Sequence, residues 1–304
     1  MRAVFVDASE TLAAVARRLL RPVDPPFAIN LQPDITPEDL PALLAGAEIA
    51  VIDHTALPVA VARACPSLRH AVFLGTGARS YMDPEALQAE CGVTVHTIKG
   101  YGDTAVAECA FALLWAAARG LPEMDRAMRA GRWLRTEAIQ LTGKTIGLIG
   151  FGGIAAEMAR LCRGAGLRVL AWNRTPKTHP GVEFVPLERL LAESDVVSLH
   201  LLLTEETRGF LSAARIAALK PGAILINTAR GAVIDEAALV EALRAGRIAG
   251  AGLDVFTVEP LPADHPLASL PNVVLSAHSA FRTPEASDNL IGAALDHCRR
   301  IAAG

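Results

Sequence analysis

Short apolar runs rich in β-branched residues alternate with helical stretches along this chain, and that alternation limits what it can fold into. The runs cover residues 3–6, 49–53, 71–74 and 93–96, then 145–149, 168–172, 195–201, 223–227, 252–255 and 273–276. Strands that are apolar on both faces must be covered on both faces, and crossover helices between parallel strands do this. The pattern predicts an α/β protein with parallel sheets.

A chain of 304 residues, 52% of them hydrophobic, exceeds one small core and suits two domains. The first group of strands predicts a domain over residues 1–98, completed by a terminal helix at 285–304. The second group predicts a domain over 99–284. An alanine-rich helix is expected from Thr104 to Arg119, because the stretch holds no internal Gly or Pro. The helical pattern continues over 121–133. Pro22, Pro25, Pro26, Pro33, Pro37 and Pro41 break up the region after the first helix.

Composition excludes several function classes. The net charge of −3 provides no field for a nucleic-acid backbone or an anionic membrane. No apolar run reaches the roughly 18–20 residues that span a bilayer. The N-terminus reads as a short strand stopped by Asp7, not as a signal peptide. The five cysteines stand at 65, 91, 109, 162 and 298 with no CxxC pair, which predicts free thiols, no metal site and a cytoplasmic location.

The segment 145–155 reads as a strand, a glycine turn and a helix. Gly150 permits a tight turn, and Gly152 lets the backbone approach a pyrophosphate. Ala155 keeps helix and strand close. Phe151, Gly153 and Ile154 complete the turn, where free N–H groups at the helix start would face phosphate. A glycine turn can also be a purely structural joint, but the flanking strand and helix favour a dinucleotide site. The next strand ends in Asn173-Arg174-Thr175. No carboxylate stands there to bind a ribose 2′-hydroxyl, and Arg174 could pair with a 2′-phosphate. NADP is therefore favoured over NAD, although Arg174 also fits a solvated surface residue and Asn173 a turn former.

Arg230, Glu259 and His278 all follow predicted strands, where an open parallel sheet binds its ligands. Singly, each has a plain structural reading. Together they form a complete set for reducing a 2-keto acid. An arginine fork binds the carboxylate, an imidazole supplies a proton to the carbonyl oxygen, and a carboxylate orients the imidazole and stabilises its cation.

The strings Leu-Ile-Asn-Thr-Ala-Arg230-Gly-Ala-Val-Ile-Asp, Gly-Leu-Asp254-Val-Phe-Thr-Val-Glu259-Pro-Leu-Pro and Ser-Ala-His278-Ser-Ala resemble the signatures of the D-isomer-specific 2-hydroxyacid dehydrogenases. The resemblance runs from about residue 45 to the end. It implies two Rossmann-like domains with a cleft between them, and a homodimer built on the 104–119 helix and the arm after it. It implies hydride transfer between NAD(P)H and a small 2-keto or 2-hydroxy acid, as in glyoxylate and hydroxypyruvate reductases. By the resemblance Arg230 binds substrate, His278 is the acid/base and Glu259 its partner. Asp254 is expected at the nicotinamide end, with Thr228 and Ala229 lining the cofactor and Thr104 near it. Gly75, Thr76 and Gly77 resemble the loop whose backbone holds the substrate carboxylate, and Arg79 after it could read a substrate phosphate.

The sequence departs from the family pattern in places. Leu202 stands where proline is frequent, and Ser279 and Phe281 follow the histidine. Glu259, rather than glutamine, argues against the formate-oxidising branch. The end at Gly304, soon after the last helix, argues against a regulated phosphoglycerate dehydrogenase. A nicotinamide-sensing, corepressor-like binding protein and a phosphite-type dehydrogenase are the alternatives.

Overall fold

The computed structural model describes residues 1–32 and 35–304, so Pro33 lies outside the described residues. The chain forms two compact units, Met1–Gly102 with Arg282–Gly304, and Asp103–Phe281. The divisions fall a few residues from the expected 98/99 and 284/285, beside the helices Asp103–Arg119 and Pro284–Ala303.

The first unit holds β1 (Ala3–Phe5), β2 (Phe27–Ile29), β3 (Ile49–Ile52), β4 (His70–Phe73) and β5 (Thr94–Thr97). They form one parallel sheet in the order β2-β1-β3-β4-β5. β2 was not expected, because it is three residues long and lies between prolines. It is an edge strand, where a neighbouring proline costs no ladder bond. Its ends are fixed by Ala3 N–H donating to the Pro26 carbonyl at 2.9 Å and by the Asn30 side chain donating to the Val6 carbonyl at 2.7 Å. The helix Pro284–Ala303 packs on the helix Glu10–Leu19. There Arg299 grips the buried Asp24 carboxylate at 2.7 Å, which holds that carboxyl down at about 2.

The second unit holds β6 (Thr145–Ile149), β7 (Arg168–Trp172), β8 (Glu183–Phe184), β9 (Val196–Leu199), β10 (Ile224–Asn227), β11 (Gly250–Leu253) and β12 (Val273–Leu275). All are parallel, in the order β12-β11-β10-β9-β6-β7-β8. Apolar helices cover both faces. Leu113, Leu114, Met158 and Cys162 pack on one side, and Leu190, Ile216, Leu239 and Leu243 on the other. The strand order reverses between β9 and β6, which is where such sheets open a crevice beyond their carboxyl ends. Among the described residues no single helix is long and apolar enough to cross a membrane.

Some expected boundaries move. β11 starts and ends two residues before the expected 252–255, so Asp254 follows the strand rather than lying in it. Its first residues are Gly250, Ala251 and Gly252, which carry no β-branched signal. Small residues are needed there, because a Cβ on Gly252 would stand 2.8 Å from the Cβ of Leu113 on the covering helix. β9 is shorter than the expected 195–201, and β12 ends before Ser276. The helix after Gly120 spans Leu121–Arg129 and does not reach Trp133. Gly131, at φ +71°, turns the chain out of it.

Candidate active site

The glycine turn sits at the carboxyl end of β6, at the switch point. Gly150 has φ +86°, and a Cβ there would meet the His200 carbonyl oxygen at 2.5 Å, so only glycine fits. Gly152 caps the 12-residue helix Gly153–Gly164. Nothing lies within 4 Å of where its Cβ would be. That open space faces the free N–H groups of a long helix, and it is where a phosphate could come close.

The end of β7 is tied to this turn. Asn173 accepts from Phe151 N–H at 3.0 Å and donates to the Thr175 carbonyl at 2.7 Å. Its amide therefore shapes the turn. Lys177 donates to the Phe151 carbonyl at 2.6 Å, placing an ammonium beside the glycines. Sequence reasoning missed Lys177, which stands in a loop with no periodic pattern. Arg174 is exposed and pairs with Glu206, also exposed. Leu202, the departure from proline, is 55% exposed, and its carbonyl is held by the Thr207 hydroxyl at 2.6 Å.

Beyond β10 the buried Asn227 folds the next residues back on themselves. It donates to the Arg230 carbonyl and accepts from Ala229 N–H, each at 2.9 Å. Thr228 is buried, and its hydroxyl has no hydrogen-bond partner. A buried hydroxyl without a partner is costly, and a bound ligand here would satisfy it. Arg230 is half-buried. It bonds the Ala229 carbonyl at 2.7 Å, and no carboxylate pairs with it among the described residues. A half-buried guanidinium without a counter-ion is suited to an anionic ligand.

Gly231 joins this loop to the next. A Cβ there would collide with the backbone of Phe256. Phe256 N–H in turn donates to Glu259 Oε1 at 2.9 Å, and Glu259 Oε2 stands 2.6 Å from His278 Nδ1. The carboxylate thus fixes the imidazole from behind. It leaves Nε2 as the ring nitrogen able to serve a ligand.

His278 takes φ +46°, a left-handed conformation that costs a residue with a Cβ about 1–3 kcal/mol. The fully buried Asp254 enforces it. Its carboxylate accepts from the Ser276 hydroxyl at 2.6 Å and from Ser279 and Ala280 N–H at 3.0 Å, and its carbonyl accepts from His278 N–H at 2.7 Å. The structure gives Asp254 a task the sequence did not suggest, which is to hold the histidine loop.

In the first unit, Gly75, Thr76 and Gly77 follow β4. Gly75 N–H bonds the Phe73 carbonyl at 2.9 Å, and Ile98 N–H bonds the Gly75 carbonyl at 3.0 Å, so the loop is tightly curled. Arg79 is exposed and engaged with Glu85. Thr104 is exposed on the first turn of its helix. Its neighbour Asp103, not singled out from sequence, is the residue that meets the glycine turn, since a Cβ on Gly153 would collide with its carboxylate. Among the described residues no cluster of His, Cys, Asp or Glu could hold a metal ion.

The chain is similar to known proteins along most of its length. Residues 111–280 match the family described as D-isomer specific 2-hydroxyacid dehydrogenase, NAD binding domain. A glyoxylate reductase of Korarchaeum cryptofilum is 42% identical over 235 residues, 74% of this chain and 70% of that protein. A glycerate dehydrogenase of Methylorubrum extorquens is 34% identical over 280 residues, 88% of this chain and 87% of that protein. A solved acyclic imino acid reductase (Bsp5), in complex with NADPH and D-Arg, is 28% identical and covers 96% of this chain and 94% of its own, with a TM-score of 0.84. Two parallel α/β sheets, a glycine turn at the switch point and an imidazole–carboxylate pair beyond the last strands agree with these matches, and the chain belongs to the D-isomer-specific 2-hydroxyacid dehydrogenase family.

Proposed function

We propose that this protein is a nicotinamide-dependent reductase of small 2-keto acids, of the glyoxylate and hydroxypyruvate class, with the first unit as substrate domain and the second as dinucleotide domain. The observation that carries this reading is an uncompensated Arg230 on a loop that abuts the loop holding the His278–Glu259 pair. The relatives named glyoxylate reductase and glycerate dehydrogenase support the substrate class. When bound, the nicotinamide supplies the hydride. Arg230 then holds the keto-acid carboxylate and draws charge toward the carbonyl oxygen. The imidazolium of His278 gives its proton to that oxygen as the alkoxide develops. Glu259 orients the ring and stabilises the imidazolium. Thr76 and Gly77, in the loop curled by the Gly75 N–H bond to the Phe73 carbonyl, offer backbone N–H groups to the substrate carboxylate. Thr228 and Ala229 line the cofactor with Thr104 near it, and Asp254 serves the nicotinamide end by holding the histidine loop.

The turn of Gly150, Phe151, Gly152, Gly153 and Ile154 would hold the pyrophosphate. The open space at Gly152 fits the pyrophosphate, and the unpartnered Thr228 hydroxyl after β10 fits another part of the same cofactor. Gly152→Val tests this placement, because its side chain enters empty space and leaves the fold intact. Titration of the dihydronicotinamide fluorescence should show cofactor affinity falling by at least about 100-fold, the cost of losing several charge-assisted bonds at about 1.5–3 kcal/mol each. A variant that binds as tightly as wild type places the cofactor elsewhere.

NADP is the favoured coenzyme. No acid follows β7, Arg174 and Lys177 stand there instead, and the imino acid reductase of similar fold holds NADPH. Arg174→Ala should weaken NADPH by about 1–3 kcal/mol through the lost bond to the 2′-phosphate, and NADH by much less. Glu206 competes for the same guanidinium, which favours the low end. Equal losses for both coenzymes, measured as kcat/KM, would remove the assignment.

A homodimer agrees with Leu121, Met128 and Trp133, which are 51%, 49% and 75% exposed along one helix and the arm after it. The five free cysteines support the cytoplasm.

A further inference from the structure

The carboxylate of Asp103 stands at the glycine turn, and among the described residues no cation is paired with it. Asp103 opens the helix Asp103–Arg119, which packs along the helix Gly153–Gly164. Its side chain fills the place of a Gly153 Cβ, at the first residue of the second helix. Asp103 is half-buried, and its carboxylate makes no hydrogen bond or ion pair among the described residues. The titratable group that acts on it from the packed helix is Glu157, one turn along, and this carboxylate is already paired with Arg160 at 2.9 Å. Among the described residues no cation is paired with Asp103; the cation of this turn, Lys177, is held on the Phe151 carbonyl at 2.6 Å.

We propose that Asp103 sets the cofactor affinity of this enzyme: its charge opposes the dinucleotide pyrophosphate at the Gly153 helix start, so that binding is coupled to the protonation of this one side chain. The inference rests on the pyrophosphate placement given above. Two like charges share the mouth of one anion site, and the cofactor's phosphates stay ionised throughout the useful pH range. Burial, reinforced by Glu157, already raises the Asp103 carboxyl above the ordinary aspartate value. A bound pyrophosphate raises it further. By linkage, whatever raises that pKa on binding must tighten binding when the proton is present. Affinity is therefore highest below the Asp103 titration and declines as pH rises through it, reaching a plateau once the group is fully ionised. The carboxylate also favours its own helix, since an acid in the first turn complements the helix dipole. That gives a reason for an aspartate beside an anion site without making it a ligand.

The test is the dissociation constant of NADPH, read by dihydronicotinamide fluorescence from pH 4.5 to 8, for wild type, Asp103→Asn and Asp103→Ser. Circular dichroism at each pH confirms that the variants are folded, and two replacements guard against a fault peculiar to one. Asp103→Asn should bind roughly three- to tenfold more tightly than wild type at pH 7.5, the scale of one like-charge interaction near a surface. The gap should close as pH falls, because wild type then carries the proton. Equal affinity at pH 7.5, a gap that does not change with pH, or weaker binding by both variants would overturn the proposal. Weaker binding would make Asp103 a cofactor ligand. These failures leave the pyrophosphate placement standing if Gly152→Val still abolishes binding. If wild type binds neither NADPH nor NADH at any pH, the dinucleotide reading fails and this inference fails with it.

Discussion

Replacing His278 with alanine should cut kcat for glyoxylate or hydroxypyruvate reduction by about 10²–10⁴, the usual worth of a positioned general acid, while cofactor affinity stays near that of wild type. The geometry argues for a large effect. Nδ1 is committed to Glu259 at 2.6 Å, so the ring presents one nitrogen outward in a fixed direction. The backbone holds the residue at φ +46°, a conformation paid for by the bonds that Asp254 makes around it. A structure that retains such strain at a histidine is using the position of that side chain. Glu259→Gln keeps the shape but removes the charge that stabilises the imidazolium. It should therefore reduce kcat by less than His278→Ala while leaving KM for the keto acid nearly unchanged. Single-turnover kinetics with saturating cofactor separate the chemical step from release. If His278→Ala reduces keto acids at a near-normal rate, the acid is another group. The chain would then be better read as a nicotinamide-sensing relative than as this enzyme.

Arg230→Ala should show a different signature. In the proposed role this residue anchors the substrate and also stabilises the developing charge, so KM should rise and kcat should fall together. The loss of a paired, charge-assisted interaction at about 1.5–3 kcal/mol per bond predicts a drop in kcat/KM of about 10²–10⁴. Arg230→Lys should recover only part of it. An ammonium restores the charge but not the planar fork that meets a carboxylate with two parallel bonds. Oxamate, which carries the carboxylate but is not reduced, gives an independent measure. Its affinity should fall with Arg230→Ala and hold with His278→Ala. Unchanged oxamate affinity in Arg230→Ala would mean that the substrate carboxylate sits elsewhere. Among the described residues no acid pairs with Arg230, whose guanidinium bonds only the Ala229 carbonyl, and this makes the opposite result the expected one.

Much of this architecture was legible in the chain. The strands with strong apolar, β-branched runs, such as residues 145–149 and 223–227, came out where periodicity put them. Burial on both faces demands such residues, so the sequence has to display them. The glycine turn and the positions of Arg230, Glu259 and His278 after successive strands were legible for a related reason. Parallel sheets present their carboxyl-end loops to ligands, so strand order alone implies a shared site. What the sequence left out are features set by contacts between segments far apart in the chain. β11 was misplaced because its opening residues are small, and they are small because Leu113 packs against them. β2 exists because β1 offers it an edge. The left-handed turn at His278 depends on Asp254, and the fit of the Arg230 loop against Phe256 depends on Gly231 having no side chain. Asp103 is an ordinary helix-opening acid in the sequence. It becomes a charge at the glycine turn only because two helices pack with its carboxylate against Gly153. Local pattern reports burial and backbone preference, because each residue carries those itself. Proximity between distant segments is a property of the assembled unit, and the shape of the histidine loop and the charge beside the glycine turn were decided there.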